Sequence, residues 1–247
     1  MSVAPLKTVS DMLGLMAALT SRQSHLPGMG VFHGFQGFGK TTAAVQTALE
    51  YDAIYVQMKA TMTRKAMLFS ILRETGTTPA RTENEMFRQV VEVLTGSQRP
   101  LMVDEADTAV ALSQGKPEHG NHHINLLRNL HDASRAPVLL IGEEGLPQSL
   151  QRWPRIFDRV LQYVAAQPAD AEDAALLAAL YCPKVRFDPR LLEMITRESK
   201  GFVRRICINL EHAREKAARH GWTEMGVKEW GQDAFHTGAA PARRVLG

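Results

Sequence analysis

Residues 34–41 read Gly-Phe-Gln-Gly-Phe-Gly-Lys-Thr, the pattern of a loop that binds the phosphates of a nucleoside triphosphate. Glycines let such a loop bend tightly and aim backbone N–H groups at phosphate oxygens, while lysine adds a cation and threonine a Mg²⁺ ligand. An apolar run at 29–33 precedes it, and apolar residues at helical spacing follow. We therefore predict a strand, a loop and a helix that bind nucleotide through Gly34, Gly37, Phe38, Gly39, Lys40, Thr41 and Thr42.

A second motif, Pro-Leu-Met-Val-Asp-Glu-Ala-Asp at residues 100–107, is an apolar strand that ends in carboxylates. We predict that Asp104 holds Mg²⁺ with Thr41, directly or through water, and that Glu105 polarises the attacking water. A kinase or GTPase needs only the aspartate, so the Asp-Glu pair favours a hydrolytic ATPase. The predicted cofactors are therefore ATP and Mg²⁺.

Composition narrows the class of protein. A chain of 247 residues, 45% of them apolar, can bury one large α/β core and a small appendage. A net charge of +3 permits a local nucleic-acid surface without requiring one. Two distant cysteines, Cys182 and Cys207, predict a reducing cytoplasm. The apolar run 12–19 is too short to span a membrane, and Asp11 before it predicts the N-cap of an ordinary helix.

Apolar strand patterns at 29–33, 53–58, 100–104, 137–141 and 160–164 alternate with helical patterns. This alternation predicts a parallel sheet covered on both faces. Beyond Pro168 no strand pattern returns; helices are expected to begin at Asp170 and Asp188, and a shorter one is expected to be capped at Thr223. We predict an α/β core at 1–167, a small helical domain at 168–236 and a flexible tail at 237–247.

The phosphate loop, the Asp-Glu strand and the helical end together resemble the AAA+ ATPases. That resemblance implies an α/β P-loop core with a five-stranded parallel sheet and a small C-terminal all-helical lid. The motifs at 34–42, 103–107 and 140–144 are most similar to transposition ATPases related to the phage Mu B protein. Those relatives imply an ATP-dependent homo-oligomer, a ring or helical filament, that binds duplex DNA without sequence specificity. It selects the insertion target and stimulates a partner transposase, in the bacterial host cytoplasm if phage-encoded.

The resemblance also implies roles for arginines. Arg159, just before the fifth strand, matches the arginine finger that reaches a neighbouring subunit's ATP, with Arg155 in reserve. An arginine at this place is equally well explained as a solvated helix-end residue. Arg204, in the sequence Gly-Phe-Val-Arg at 201–204, matches the second sensor of the γ-phosphate, and Arg205 is its competitor.

Two departures from the family pattern matter. Glu143 stands where relatives often carry asparagine after the fourth strand. A carboxylate there would repel the γ-phosphate, so either hydrolysis is slow or Glu143 turns away. The Mu B protein also has a DNA-binding domain ahead of its ATPase core, whereas this phosphate loop begins at Gly34. We therefore expect the ATPase core itself to hold DNA.

The strongest DNA-binding candidates follow the second strand and are Lys59, Thr61, Arg64 and Lys65. No acidic residue occurs between Asp52 and Glu74, and cations with hydroxyls suit backbone phosphates. Solvated charges at a helix start are an equally open interpretation. Weaker patches contain Lys116 with His122 and His123, and Arg243 with Arg244.

Three other functions share this sequence pattern. A replication-type helicase or clamp loader would use every catalytic residue named above. A nucleotide-gated DNA scaffold with little turnover is favoured by Glu143. A membrane-associated secretion ATPase is disfavoured, because no run reaches eighteen apolar residues.

Overall fold

The computed structural model of this protein describes residues 4–113 and 122–239. Its internal contacts divide the chain into two compact units. The core unit comprises Val9–Gln36 and Lys40–Ala166. The helical unit comprises Gln167–Gly247 together with Met1–Thr8 and Gly37–Gly39. Residues 114–121, and with them Lys116, lie outside the described part of the chain, as do Arg243, Arg244 and most of the predicted tail.

A five-stranded parallel sheet forms the centre of the core unit, in the order β2-β3-β4-β1-β5. Its strands are β1 (Met29–His33), β2 (Ile54–Gln57), β3 (Leu101–Asp104), β4 (Val138–Gly142) and β5 (Val160–Ala165). Every residue of β3 and β4 is buried, as expected for central strands covered on both faces. The predicted α/β class and its five parallel strands are confirmed.

Helices cover this sheet, and the order of its strands positions the site. The helices lying wholly or mostly in the core unit are α1 (Lys7–Thr20), α2 (Lys40–Glu50), α3 (Arg64–Glu74), α4 (Glu83–Ser97), α5 (Ala106–Ala111), α6 (His123–Ser134), α7 (Leu146–Leu150) and α8 (Pro154–Phe157). Because β4 lies between β1 and β3, the residues after β4 sit between the phosphate loop and Asp104.

Helix α1 begins at Lys7, so the predicted N-cap at Asp11 is wrong. The backbone N–H of Lys7 donates to the Asp173 carboxylate at 3.0 Å. A capping acceptor therefore comes from a residue 166 positions away, which no local sequence signal reveals. None of the helices in the described part of the chain is both long and apolar enough to cross a membrane.

The helical unit contains the predicted helices and one unpredicted pair of strands. Its elements are α9 (Ala171–Tyr181), β6 (Arg186–Phe187), α10 (Pro189–Glu198), α11 (Val203–His220), β7 (Glu224–Met225) and α12 (Val227–Trp230). Asp170 and Asp188 cap α9 and α10 as predicted. Thr223 does not cap a helix; its carbonyl accepts from Arg186 N–H at 2.8 Å beside the β6–β7 pair, and α12 begins four residues later. Strands of two residues are too short to give a periodic signal.

Candidate functional site

The loop between β1 and α2 has the backbone that phosphate binding requires. Gly37 and Gly39 have φ values of 92° and 85°, a region that residues with a side chain rarely adopt. Phe38 between them is buried, and its ring meets the Phe202 ring edge to face at 5.1 Å between centroids. The glycines therefore shape the loop, and Phe38 is a packing residue.

Lys40 opens α2 and turns its ammonium group back onto this loop. Only 9% of the residue is exposed. Its Nζ donates to the carbonyl oxygens of Gly34 at 2.6 Å and Phe35 at 3.1 Å. The Oε1 atom of Glu143 lies 3.8 Å from the same nitrogen. The positive charge is thus held at the loop where the motif predicts contact with phosphate.

Asp104 ends β3 as a buried carboxylate, 2% exposed, beside the start of α2. Its Oδ2 atom accepts from the Thr41 hydroxyl at 3.1 Å and from the Tyr55 hydroxyl at 2.7 Å. Its Oδ1 atom accepts from the backbone N–H of Glu105 at 2.9 Å. The structure therefore brings Thr41 and Asp104 together, as predicted, and adds Tyr55, which was not predicted.

These residues fit a magnesium ion. A carboxylate and a hydroxyl side by side offer the hard oxygen ligands that Mg²⁺ prefers. Thr41 and Asp104 would hold the ion, and Thr42 is exposed one residue further along α2. When bound with nucleotide, Mg²⁺ neutralises charge on the phosphate oxygens.

Glu105 stands at the start of α5 in an unusual backbone conformation. Its φ and ψ of 56° and 41° are left-handed, which is uncommon for a residue other than glycine and is concentrated at active sites. Burial first, and then the charges of Asp104 and Glu143, raise the pKa of Glu105 above its ordinary value. A carboxylate with a raised pKa is a better proton acceptor, which suits the predicted general base.

The segment after β4 contacts both sides of the site. The backbone N–H of Glu143 donates to Asp107 Oδ2 at 2.6 Å, so the end of β4 is tied to the first turn of α5. The side chain of Glu143 faces Lys40. The sequence left two expectations for Glu143: slow hydrolysis, or a side chain that turns away from the γ-phosphate site. The second is wrong, because the carboxylate lies beside the Lys40 ammonium, which attracts it.

Arg159 and Arg155 lie at the amino-terminal ends of the strands, and the phosphate loop lies at their carboxyl-terminal ends. The Arg159 carbonyl accepts from Met29 N–H at 3.0 Å, at the start of β1, whereas Lys40 follows the end of β1. A five-residue strand separates these ends by about 16 Å, so neither arginine serves its own subunit's phosphate. Arg159 pairs with Asp132 at 2.5 Å, and Arg155 is exposed. The trans-acting finger stays a prediction.

In the helical unit, the two candidate sensor arginines differ in their surroundings. Arg204 is exposed on the first turn of α11. The Arg205 guanidinium lies over the Phe202 ring at 4.1 Å from its centroid. Arg205 is thus engaged in a cation–π contact, which favours Arg204 as the predicted sensor.

The predicted DNA-binding residues lie around the start of α3. Lys59, Thr61 and Lys65 are exposed. Lys65 donates to the carbonyl of Arg81 at 2.6 Å. Arg64 pairs with Glu83 at 2.8 Å. Residues 53–73 contain no acid of their own, but Glu83 of α4 pairs with Arg64 and offsets its charge. Arg64 is therefore the weakest DNA-binding candidate among the cations Lys59, Arg64 and Lys65.

The histidines of the second patch are not exposed cations. His122 is buried, and its ring meets the Trp153 ring edge to face. His123 is buried and its Nε2 lies 2.9 Å from the Met62 carbonyl oxygen. Burial lowers the pKa of His123, which favours its neutral form. The proposed contribution of His122 and His123 to a DNA surface is therefore wrong.

Tyr55 and Asp107 are the site residues that sequence reasoning missed. Asp107 is the last acid of the second motif, and its place in the first turn of α5 is a usable signal. Tyr55 alternates with the buried Ile54 and Val56 and so faces away from their side of β2. Nothing local indicates that β2 pairs with β3, which is what brings Tyr55 to Asp104.

Comparisons with known proteins agree with this geometry. A family model described as an AAA domain matches residues 23–150, more than half of the chain. No curated protein matches this chain significantly. Among solved structures, the ORC2 protein of Aeropyrum pernix in ADPNP-ADP complexes has a TM-score of 0.67 at 17% identity, covering 92% of this chain and 68% of that one.

Two further structures have the same fold. The Aeropyrum pernix ORC1 protein in complex with DNA has a TM-score of 0.59 at 17% identity, covering 90% of this chain and 62% of that one. The RuvB Holliday junction branch migration motor of Thermotoga maritima has a TM-score of 0.54 at 16% identity, covering 90% and 66%. This chain thus spans 62% to 68% of the length of these three proteins.

The family model covers both the phosphate loop and the Asp-Glu strand. The structural likeness extends over the five-stranded sheet and the helices around it. This protein therefore belongs to the AAA domain family and is similar in structure to the ORC/Cdc6 and RuvB AAA+ ATPases.

Proposed function

We propose that this protein is a DNA-dependent ATPase of transposition: it binds ATP with Mg²⁺, assembles on duplex DNA of any sequence, and activates a transposase at the chosen target. One observation carries the proposal. The carboxyl-terminal ends of the strands carry the nucleotide-site residues Lys40, Thr41, Asp104 and Glu105. The exposed Lys59 lies at the same end of the sheet, just after β2. Nucleotide and DNA would therefore act on neighbouring parts of one end of the sheet.

The transposition role is supported by the short motifs at 34–42, 103–107 and 140–144, which resemble those of Mu B relatives. Lysine and threonine side chains suit phosphates rather than base edges, so the proposed binding is independent of DNA sequence. A homo-oligomer would place Arg159 of one subunit at the ATP of the next. A cytoplasmic location remains the prediction.

A replication-type AAA+ function is the second candidate. Its specific support is the structural likeness to the Aeropyrum pernix ORC proteins, one of them solved with DNA. The two functions differ in the partner. Strand transfer by a Mu-type transposase, stimulated on DNA coated with this protein, supports transposition, whereas recruitment of a replicative helicase without such stimulation supports replication.

The DNA contacts can be tested with duplexes of unrelated sequence and an ATP analogue. We expect binding that requires nucleotide and falls steeply with salt. The double variant Lys59→Ala/Lys65→Ala should bind every duplex more weakly and flatten the slope of log affinity against log salt by up to about two units, because each lost phosphate contact removes roughly 0.9. Nucleotide affinity should persist.

A matched control is Lys184→Ala/Lys228→Ala, which removes the same charge from exposed positions of the helical unit. It should leave the slope unchanged. If the slope of log affinity against log salt is the same for both double variants, Lys59 and Lys65 are not part of the DNA-binding surface. No nucleotide-dependent DNA binding by the unaltered protein would contradict the proposed function.

A further inference from the structure

Within the described part of the chain, three hydrogen-bond donors orient the carboxylate of Asp104. Thr41 belongs to the phosphate loop, and Glu105 is the next residue in the chain. The third donor, the Tyr55 hydroxyl at 2.7 Å from Oδ2, makes the shortest of these contacts and comes from another strand. It belongs to neither nucleotide motif.

Strand register explains how Tyr55 reaches this carboxylate. Tyr55 pairs with Met102, and Gln57 pairs with Asp104. Residues two apart share a face of the sheet, so Tyr55 and Asp104 are diagonal neighbours on one face. A tyrosine is long enough to span that diagonal. Ile54 and Val56 on the other face are buried and hold the strand in this register.

A main-chain contact makes this arrangement well defined. The backbone N–H of Met58 donates to the Asp104 carbonyl at 2.9 Å, so β2 is tied to Asp104 through main chain as well as side chain. A tyrosine hydroxyl can donate one hydrogen bond, and here that bond goes to the carboxylate.

We propose that Tyr55 is a positioning residue for the divalent metal of the nucleotide site, acting by holding the Asp104 carboxylate in one orientation. Since the Thr41 hydroxyl is itself needed as a metal ligand, Tyr55 is the side-chain donor that remains, among residues 4–113 and 122–239, to orient Asp104. Hydrogen-bonding partners of metal ligands typically contribute about 10- to 100-fold to metal affinity or activity. The inference rests on the nucleotide-binding part of the proposed function and not on its DNA part.

The test is a binding measurement with a fluorescent ADP analogue, titrated over a series of Mg²⁺ concentrations and in EDTA. Tyr55→Phe keeps the ring and removes only the hydroxyl. We expect the Mg²⁺ concentration that gives half of the affinity gain to rise at least about tenfold. Affinity in EDTA should match that of the unaltered protein.

Tyr163→Phe is the matched control. Tyr163 lies on β5 of the same sheet, is half-buried, and its hydroxyl has no hydrogen-bond partner among residues 4–113 and 122–239. Losing that hydroxyl should leave the Mg²⁺ response unchanged. Comparing the two variants shows whether an effect comes from losing the hydrogen bond to Asp104 or from removing a tyrosine hydroxyl anywhere in the sheet.

Three outcomes overturn the inference. An unaltered Mg²⁺ response in Tyr55→Phe would show that Asp104 needs no such donor. An equal loss of affinity with and without Mg²⁺ would make Tyr55 a structural residue. If the unaltered protein binds no nucleotide, or binds it without any response to Mg²⁺, the nucleotide part of the proposed function fails as well, which distinguishes that failure from the first two.

Discussion

At the scale of single residues, the site separates the group that holds phosphate from the group that handles the proton. Lys40 is a buried cation against the loop carbonyls, and Glu105, just after β3, is a carboxylate with a raised pKa. Glu143 lies close enough to influence both, through its 3.8 Å approach to Lys40 and its charge near Glu105. Positioning and chemistry are therefore expected to respond to different substitutions.

We predict that Lys40→Ala abolishes ATP binding, whereas Glu105→Gln binds ATP normally and lowers turnover about a hundredfold or more, the usual contribution of a general base. The reason is that glutamine preserves size but cannot accept the proton. Nucleotide affinity by fluorescence and phosphate release should be measured separately on each variant. Hydrolysis at the unaltered rate in Glu105→Gln would remove Glu105 from this role.

At the scale of elements, helix caps are where local sequence acts most directly. Thr82 and Glu85 form a complete capping box at the start of α4. The Thr82 hydroxyl and backbone N–H donate to Glu85 at 2.7 and 3.1 Å and lower the pKa of Glu85 below its ordinary value. The box contributes stability while Glu85 is ionised, and loses part of it as pH falls through the lowered pKa.

We predict that Thr82→Ala lowers the free energy of unfolding of the protein by about 1 kcal/mol at pH 7, since the cap of α4 is lost. Thr82→Ser, which keeps the hydroxyl, should restore most of that difference. Because the lowered pKa belongs to the folded state, the difference between Thr82→Ala and the unaltered protein should shrink below about pH 4. Urea unfolding at several pH values measures both effects; a difference independent of pH would mean that Glu85 does not take part.

At the scale of the whole molecule, the sheet separates the two halves of the proposed catalytic machinery. The phosphate loop, Asp104 and Glu105 lie at the carboxyl edge, while Arg155 and Arg159 lie at the amino edge. A head-to-tail interface would bring the amino edge of one copy to the nucleotide of another. Electron microscopy with an ATP analogue and duplex DNA distinguishes a ring from a helical filament.

We predict that mixing Arg159→Ala protein with Glu105→Gln protein restores hydrolysis that neither variant shows alone. A junction works when an intact Glu105 site meets an intact Arg159 from its neighbour, so an equal mixture should reach about a quarter of the unaltered rate. Hydrolysis should be followed against total protein concentration. A rate that depends on neither mixing nor concentration would argue for a self-contained monomer.

Local patterns in the sequence were sufficient to predict the five strands, the α/β class and the helix caps at Asp170 and Asp188. Glycine conformation, side-chain capping and apolar periodicity act over a few neighbouring residues, so their signals can be read directly. The phosphate loop and the Asp-Glu strand end could be placed for the same reason. The sequence also predicted that Thr41 and Asp104 hold Mg²⁺ together; the two side chains lie in contact at 3.1 Å, and their metal role stays a prediction.

Tertiary structure alone decided the contacts between residues far apart in the chain. The strand order places Tyr55 beside Asp104. Glu83 of α4 pairs with Arg64. Asp173 accepts from the backbone N–H of Lys7, where α1 begins. Burial likewise removed His122 and His123 from the predicted basic surface. Periodicity reports which face of an element is apolar, but not which element packs against it, and these side chains acquire their roles only from that packing.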